Sequence, residues 1–451
     1  MESKNPYNEN IIKDYPNHNK LEVKNIINAA NNSYYDWKKI PINNRIIVIR
    51  KVKNNLISNR KISANMITQE MGKPITESFA EIDKCIWLCK YYIENSKEFL
   101  KVENIKTDAS KSYVSFEPLG IILGIMPWNF PYWQVFRFAI PAILSGNTVV
   151  VKHASNVSGC SLLIEKIFSK NIKLNIFQSL LLTSLKMKDI IENPLIKAIS
   201  LTGSEEAGSK VASLAGNKIK KILLELGGSD AFIVCKDADI KKASEKAVAA
   251  RMLNTGQSCI AAKRFIVHEE IKDEFINNII NILNQMNIDD PTSVNTQIGP
   301  LARKDILQDL QNQMKDAIKK GAKICYQKKK KYKKGYFFSP VIIDNVDSSM
   351  KVYNNETFGP LFTIFSFKKN EEAVKIANDT QYGLGGSIWS KNIENAKQIG
   401  ESINTGAIFI NEITKSDPRL PFGGIGISGY GRELGSYGIK EFVNIKTVYI
   451  N

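Results

Sequence analysis

Three short segments carry residues whose types and settings could do covalent chemistry. The first is Asn254-Thr-Gly-Gln-Ser-Cys-Ile-Ala-Ala-Lys-Arg264, a small polar loop holding one thiol. Gly256 and Ser258 flank Cys259, so its backbone can be approached closely. A thiolate is a strong nucleophile, but a free thiol has a pKa near ~8.5 and needs a base or positive charge beside it. Taken alone, this stretch suits a buried structural thiol as well as a nucleophile. The second segment, Lys221-Ile-Leu-Leu-Glu-Leu-Gly-Gly228, runs an apolar strand into an acid and then into paired glycines. Desolvation at the end of such a run raises a carboxylate's pKa, so Glu225 is either a general base or a paired structural acid. The third, Gly124-Ile-Met-Pro-Trp-Asn-Phe-Pro131, holds the amide of Asn129 in a rigid Pro/Trp/Phe frame. An amide held that way can donate to a developing oxyanion; by itself the segment is also an ordinary buried aromatic turn.

Patterned elements must position these groups. Ala238 to Leu253 has apolar residues at helical spacing and Arg264 to His268 reads as a buried strand, so Cys259 sits at a helix–strand junction. Leu21 to Trp37 and Ile46 to Leu56 predict amphipathic helices, and a third helix runs from about Ile75 through Phe99 after the break at Glu70-Met-Gly-Lys-Pro74. Strands are expected at Ser112 to Phe116, Gly120 to Gly124 and Thr148 to Lys152, with a helix from Trp133 to Leu144 between the last two. The strand Leu195 to Leu201 leads into Thr202-Gly-Ser-Glu-Glu-Ala-Gly208 and a helix to about Ala215. In a doubly wound sheet this is where a helix N-terminus meets a phosphate. The glycine spacing is not G-x-G-x-x-G, and Ser209 and Lys210 stand in the wrong order for a P-loop. A second alternation follows: strand Ala231 to Val234, helix Ile271 to Met286, a strand-like run Tyr336 to Pro340, then strands Val341 to Ile343 and Leu361 to Phe365. The tail Phe442 to Ile450 alternates as an exposed terminal strand that could pair with another subunit. Strands alternating with helices imply crossover connections and a mostly parallel sheet, hence an α/β chain.

Length and composition exclude several classes. At 451 residues the chain can hold two or three domains, and 43% hydrophobic with 24% charged residues is an ordinary globular balance. Met1-Glu-Ser-Lys-Asn-Pro has no apolar core of a secretory signal, and no apolar run reaches the ~20 residues needed to span a bilayer. Six cysteines without framework spacing point to free thiols in a reducing cytosol, with Cys85 and Cys89 able to share a helix face. His18, His153 and His268 lie beside no cysteine pair, so no metal is expected. The net charge of +17 is spread along the chain, and its densest run, Lys328 to Lys334, reads as a solvated loop. Neither nucleic acid nor a membrane is an expected partner.

Together the three segments resemble the aldehyde dehydrogenase superfamily, and the resemblance runs from Asn5-Pro6-Tyr7 to Lys446-Thr447-Val448. Val151-Lys152, Thr202-Gly-Ser204, Glu356-Thr-Phe-Gly-Pro360 and Pro421-Phe-Gly-Gly424 occur in the family's order. Gly256 to Arg264 and Gly429 to Val448 are similar to the short succinate-semialdehyde dehydrogenases. The resemblance implies an α/β fold with a Rossmann-type NAD(P)-binding domain over residues 1–228 and an α/β catalytic domain over 229–425. A C-terminal segment, 426–451, would join residues 105–120 in a small β oligomerisation arm of a cytoplasmic homodimer or homotetramer.

The same resemblance implies a chemistry. Cys259 would add to an aldehyde, and the thiohemiacetal oxyanion would be met by the Asn129 amide and the Cys259 backbone N–H; losing one such donor typically costs about 100- to 1,000-fold in rate. Glu225 would activate water on the resulting thioester and could also deprotonate Cys259. Lys152 is implied at the catalytic centre and on ribose hydroxyls, and Glu356 on the nicotinamide ribose. Ile125, Pro127, Trp128, Gly203, Ser204, Leu226 and Phe358 would line the cofactor. Ser155 stands where many NAD-preferring members place a glutamate that grips the adenosine 2′-OH. A serine beside Lys152 can instead bond a 2′-phosphate, so NADP is expected to be preferred, or used alongside NAD, unless Ser155 merely starts a helix. The stretch from Ile172 to Leu182 lacks the glycines common on the adenine side. Arg137, eight residues after Asn129, matches the position that binds the substrate carboxylate, unless it is a surface ion-pair arginine. A second arginine of some relatives is Leu253 here, for which Arg419, in the loop that begins at Ser416, could compensate. Other small aldehydes such as glyceraldehyde, a CoA-acylating reaction, and a non-enzymatic basic protein are the competing readings. Glu225 argues against the second, and the intact Cys259, Glu225 and Asn129 set against the third.

Overall fold

The computed structural model describes residues 1–330 and 332–451, so Lys331 of the lysine run lies outside the described residues. Among them, six strands build a first sheet in the spatial order Gly429–Tyr430, Lys221–Glu225, Ile196–Thr202, Ile121–Met126, Thr148–His153, Phe177–Ser179. All neighbours are parallel except the short Gly429–Tyr430 strand, which runs antiparallel to Lys221–Glu225. The strands read as near-continuous apolar runs because both faces are covered. Ile122, Val149 and Val151 pack into one core with the helices Ile75–Phe99 and Trp133–Leu144. Ile121, Leu123 and Val150 face the opposite core, against the helices Lys20–Trp37 and Glu205–Gly216. That is the period-two alternation of a strand buried twice.

The chain enters this sheet at Ile121–Met126, steps outward through Thr148–His153 and Phe177–Ser179, then returns to the other side at Ile196–Thr202. The reversal puts a crevice outside the carboxyl ends of Ile121–Met126 and Ile196–Thr202, the place where doubly wound sheets bind ligands. Segments ending in Asn129, Lys152, Ser204 and Glu225 all leave that same edge.

Four residues, Leu226 to Ser229, carry the chain into a second sheet. Its order is Lys323–Gln327, Val341–Asp344, Leu361–Phe367, Ala262–His268, Asp230–Val234, Gly386–Trp389, Ile408–Ile410, parallel except for the first strand. Asp230, the Cys259 loop and the Glu356–Pro360 segment all stand at the amino ends of these strands. The cleft therefore lies where carboxyl ends of the first sheet meet amino ends of the second. The tail Val443–Ile450 pairs antiparallel with Lys111–Pro118, which also carries Glu103–Asn104. Its other edge has no partner among the described residues, and Ile445, Tyr449 and Ile450 are exposed.

One local expectation changes. Tyr336 to Pro340 forms no strand. Tyr336 donates its N–H to Pro6 (3.0 Å) and accepts from Leu301 (2.9 Å), while Phe337 and Phe338 are buried. Phe337 stacks on Tyr332 with centroids 4.4 Å apart, so the apolar run is an anchor for irregular chain rather than a ladder strand. The helix Lys304–Lys319 adds to the expected elements, with Ile306, Leu310, Met314 and Ala317 packed on one face.

Candidate active site

The loop before Cys259 is built from unusual backbone. Asn254, Thr255 and Gly256 have φ of 54°, 55° and 78°, three consecutive left-handed residues. Asparagine tolerates that region, but a β-branched threonine does not without support. Gly299 N–H donates to Thr255 Oγ1 at 3.1 Å. The Gln257 side chain accepts from Ala302 N–H at 2.9 Å and donates to Asn254 O at 3.1 Å. At Gly256 a Cβ would both strain the backbone and collide with the main-chain oxygen of Gly359. Gly256→Ala is therefore expected to lower Tm by several degrees, a cost of at least about 1–3 kcal/mol, and to lower turnover with it; thermal melts and assays of the purified variant check this.

Lys263 fixes the other side of the loop. It is buried, donates to the carbonyls of Ser258 (2.9 Å) and Cys259 (2.7 Å), and pairs with Glu356 at 2.8 Å. Nothing in the sequence marks it out, since it stands beside Arg264 at the start of the strand Ala262–His268.

Cys259 is half-buried and lines two cavities. One, of about 530 Å³, is walled by Pro127, Trp128, Asn129, Thr202 to Ser204, Leu226, Gly227, Glu356 and Phe358. The other, of about 160 Å³, lies against Trp133, Arg137, Leu253, Ser416 and Phe422. The sulfur thus stands at their junction. Burial pushes the thiol up to about 12, with Lys263 and Arg137 pulling the other way, so the resting group is the thiol and a base must take its proton.

Asn129 is held from three directions. Its amide donates to Gln257 O (3.1 Å), its Oδ1 accepts from Gln134 (3.1 Å), and its main-chain oxygen accepts from Asn254 (2.8 Å). A carboxamide has two N–H donors, so the second remains for an oxyanion in the larger cavity.

Glu225 ends its strand 2% exposed, and neither carboxylate oxygen has a hydrogen-bond partner. It lines neither cavity; one oxygen lies 2.9 Å from where a Cβ at Gly423 would be. Burial holds the carboxyl well above the usual range, reinforced by Glu433 and opposed by Arg137. Arg137 is not a surface arginine: it is buried, ion-paired to Glu433, 4.8 Å from the Phe422 ring centroid, and 3.4 Å from Thr202 Oγ1. Glu433 carries no signal in the sequence.

Arg419 is not brought to either cavity. Its exposed guanidinium forms a two-point pair with Asp417 (2.9 and 2.7 Å) and lies over Trp87 at 5.4 Å, which occupies its donors outside the site. Ser416, from the same loop, does line the smaller cavity.

The larger cavity fits a dinucleotide. It opens at the switch-point crevice, where Ser204 caps the helix Glu205–Gly216 by accepting from Ala207 N–H at 3.3 Å. Trp128 meets Phe358 edge-on with centroids 5.7 Å apart, a flat apolar wall. A Cβ at Gly227 would lie 2.8 Å from Glu356 Oε2 and strike Glu205, whose Oε1 is itself without a partner, so glycine keeps that floor open. Glu356 is pushed up by burial and pulled down by Lys263. Ile125 and Lys152 lie opposite one another in register, and Ser155 opens the turn Ser155–Val157 just beyond. These three stand along the same sheet edge without lining this cavity. Arg303, which the sequence did not single out, lines it and sits 5.8 Å from the Trp128 ring. Among the described residues, no group of three or more His, Cys, Asp or Glu is placed to hold a metal, and no helix is long and apolar enough to cross a membrane.

Comparison with known proteins gives a consistent picture. The aldehyde dehydrogenase family profile matches residues 1–448. A probable succinate-semialdehyde dehydrogenase [NADP(+)] of Synechocystis sp. is 43% identical, over 99% of this chain and 98% of its own. Succinate-semialdehyde dehydrogenase [NADP(+)] 1 of Mycobacterium bovis is 40% identical over the same shares. Among solved structures, the succinic semialdehyde dehydrogenase of Streptococcus pyogenes, in complex with NADP+, superposes with a TM-score of 0.97 at 34% identity, covering 100% of this chain and 99% of that one.

Proposed function

The chain belongs to the aldehyde dehydrogenase family, and from that membership we propose that it oxidises succinate semialdehyde to succinate with NADP as the preferred cofactor. The observation that carries this reading is the place of Cys259, half-buried at the meeting of a nucleotide-sized cavity and a small one. A nicotinamide dinucleotide, when bound, supplies the hydride acceptor. Pro127, Trp128, Gly203, Ser204, Leu226, Glu356 and Phe358 would hold it, with Ile125, Lys152 and Ser155 along the adjoining sheet edge.

The remaining work falls to the chain's own groups. Cys259 gives its proton to a base and its sulfur adds to the aldehyde carbon, forming a thiohemiacetal. The free amide N–H of Asn129 and the backbone N–H of Cys259 meet the oxyanion. After hydride leaves, the sulfur holds a thioester. Glu225, desolvated and unpartnered, turns toward it and draws a proton from water, whose oxygen attacks the acyl carbon and frees the thiol. That buried base favours hydrolysis over transfer to CoA.

The test is reduction of NADP and of NAD over a panel of succinate semialdehyde, glyceraldehyde and unsubstituted aldehydes, scored by kcat/KM. Preference for glyceraldehyde would replace the substrate part of the reading. For the cofactor, NADP is expected to exceed NAD in kcat/KM, and Ser155→Glu to lower the NADP value on the order of 100-fold, since like charges in contact cost several kcal/mol. A wild-type ratio strongly favouring NAD would overturn the cofactor assignment. The open edge of Val443–Ile450 and its exposed Ile445, Tyr449 and Ile450 support assembly through that arm as a homodimer or homotetramer.

A further inference from the structure

The smaller cavity contains a charged group that neither the loop scaffold nor the acid–base chemistry uses. Lys84, on the helix Ile75–Phe99, lines it together with Trp133, Arg137, Ser416 and Phe422. Its ammonium stands 4.2 Å from the centroid of the Trp133 ring and makes no hydrogen bond or ion pair with any described residue.

The acids that share this wall, Glu77 and Glu81, and the charges beside it are each engaged elsewhere. On its own helix, Glu81 pairs with buried Lys73 and caps the next helix by accepting from the N–H groups of Tyr132 (2.8 Å) and Trp133 (3.0 Å). Glu77, one helical repeat earlier, accepts the Asn254 N–H at 2.7 Å, and burial pushes its carboxyl up to about 7. Arg137, from the helix Trp133–Leu144, is paired with Glu433. Asp417 is taken by Arg419. Burial, and then Arg137, bring the Lys84 ammonium down to about 8, as befits a cation left without a counterion in a partly dry place. Leu253 also lines the cavity and offers no charge.

We propose that Lys84 is the specificity-determining cation of this site, reading the distal carboxylate of an ω-carboxylated aldehyde across the cavity from Cys259, with Arg137 and Ser416 beside it. An arriving carboxylate gives Lys84 the ion pair that no described residue supplies. A neutral aldehyde leaves it bare.

The inference rests on the substrate reading above, and the test separates the two. Wild type, Lys84→Met and Lys84→Arg are assayed with succinate semialdehyde and with butanal, which has the same chain length and a methyl in place of the carboxylate. Wild type is expected to prefer succinate semialdehyde. In Lys84→Met the ratio of the two kcat/KM values should fall about tenfold to a hundredfold, the range for a hydrogen bond to a charged group, with the loss in KM rather than kcat. Lys84→Arg should restore most of the ratio, which a merely structural lysine would not explain. If wild type prefers succinate semialdehyde and Lys84→Met leaves the ratio within twofold, the Lys84 assignment is overturned and the substrate reading stands. A wild type with no preference overturns both.

Discussion

Cys259→Ala is expected to lose aldehyde-dependent reduction of NADP by at least about 10⁴-fold while still binding the dinucleotide. Every covalent step runs through this sulfur, and alanine has nothing to carry the acyl group. The substitution should leave the scaffold in place, because Lys263 grips the loop through the carbonyls of residues 258 and 259, which alanine retains. Trp128 lines the nucleotide cavity, so quenching of its fluorescence on titration with NADP reports binding separately from turnover. Activity within tenfold of wild type would show that the chemistry lies elsewhere.

Glu225→Gln should divide the reaction at its midpoint. Glutamine keeps the size of the side chain and cannot draw a proton from water, so with hydroxide taking the thiol proton the first half-reaction proceeds and the thioester waits. Rapid mixing with saturating substrate is expected to show one equivalent of reduced nucleotide per active site, followed by steady turnover about 10²- to 10⁴-fold below wild type. The pH dependence has a defined sign. Burial raises the Glu225 carboxyl, so the base form becomes more abundant as pH rises, and wild-type hydrolysis should accelerate with pH. The glutamine variant should lose that dependence. Unchanged steady-state turnover would remove Glu225 from the reaction.

Much of this was legible before any coordinates. Helix Trp133–Leu144 falls at the limits its apolar spacing predicts, because it is buried along its whole length. The strands around Ile121 and Thr148 were clear for the same reason. Tyr336–Pro340 misled because a buried aromatic run looks alike whether a ladder or a neighbouring turn covers it. Cys259, Glu225 and Asn129 announced themselves through glycines, a strand end and a proline frame. Arg419 reads as a replacement for the charge missing at Leu253, but its neighbour Asp417 claims it. Lys84 gave no sign, since one lysine on an amphipathic helix is like its neighbours until the opposing wall is seen. Glu433 and Lys263 were hidden likewise: their meaning comes from partners remote in the chain.

The left-handed run at residues 254–256 has a consequence for the protein while it is being made. Glu77 and Asn129, which hold Asn254, precede the cysteine, but Gly299 and Ala302, which brace Thr255 and Gln257, and Gly359, against which Gly256 packs, are translated after it. A ribosome that has made the five parallel strands of the first sheet and the thiol has therefore not yet made all that aims that thiol. Until the second sheet closes behind it, the sulfur faces no completed nucleotide cavity, so an aldehyde that adds to it can only leave again and the unfinished molecule is not acylated.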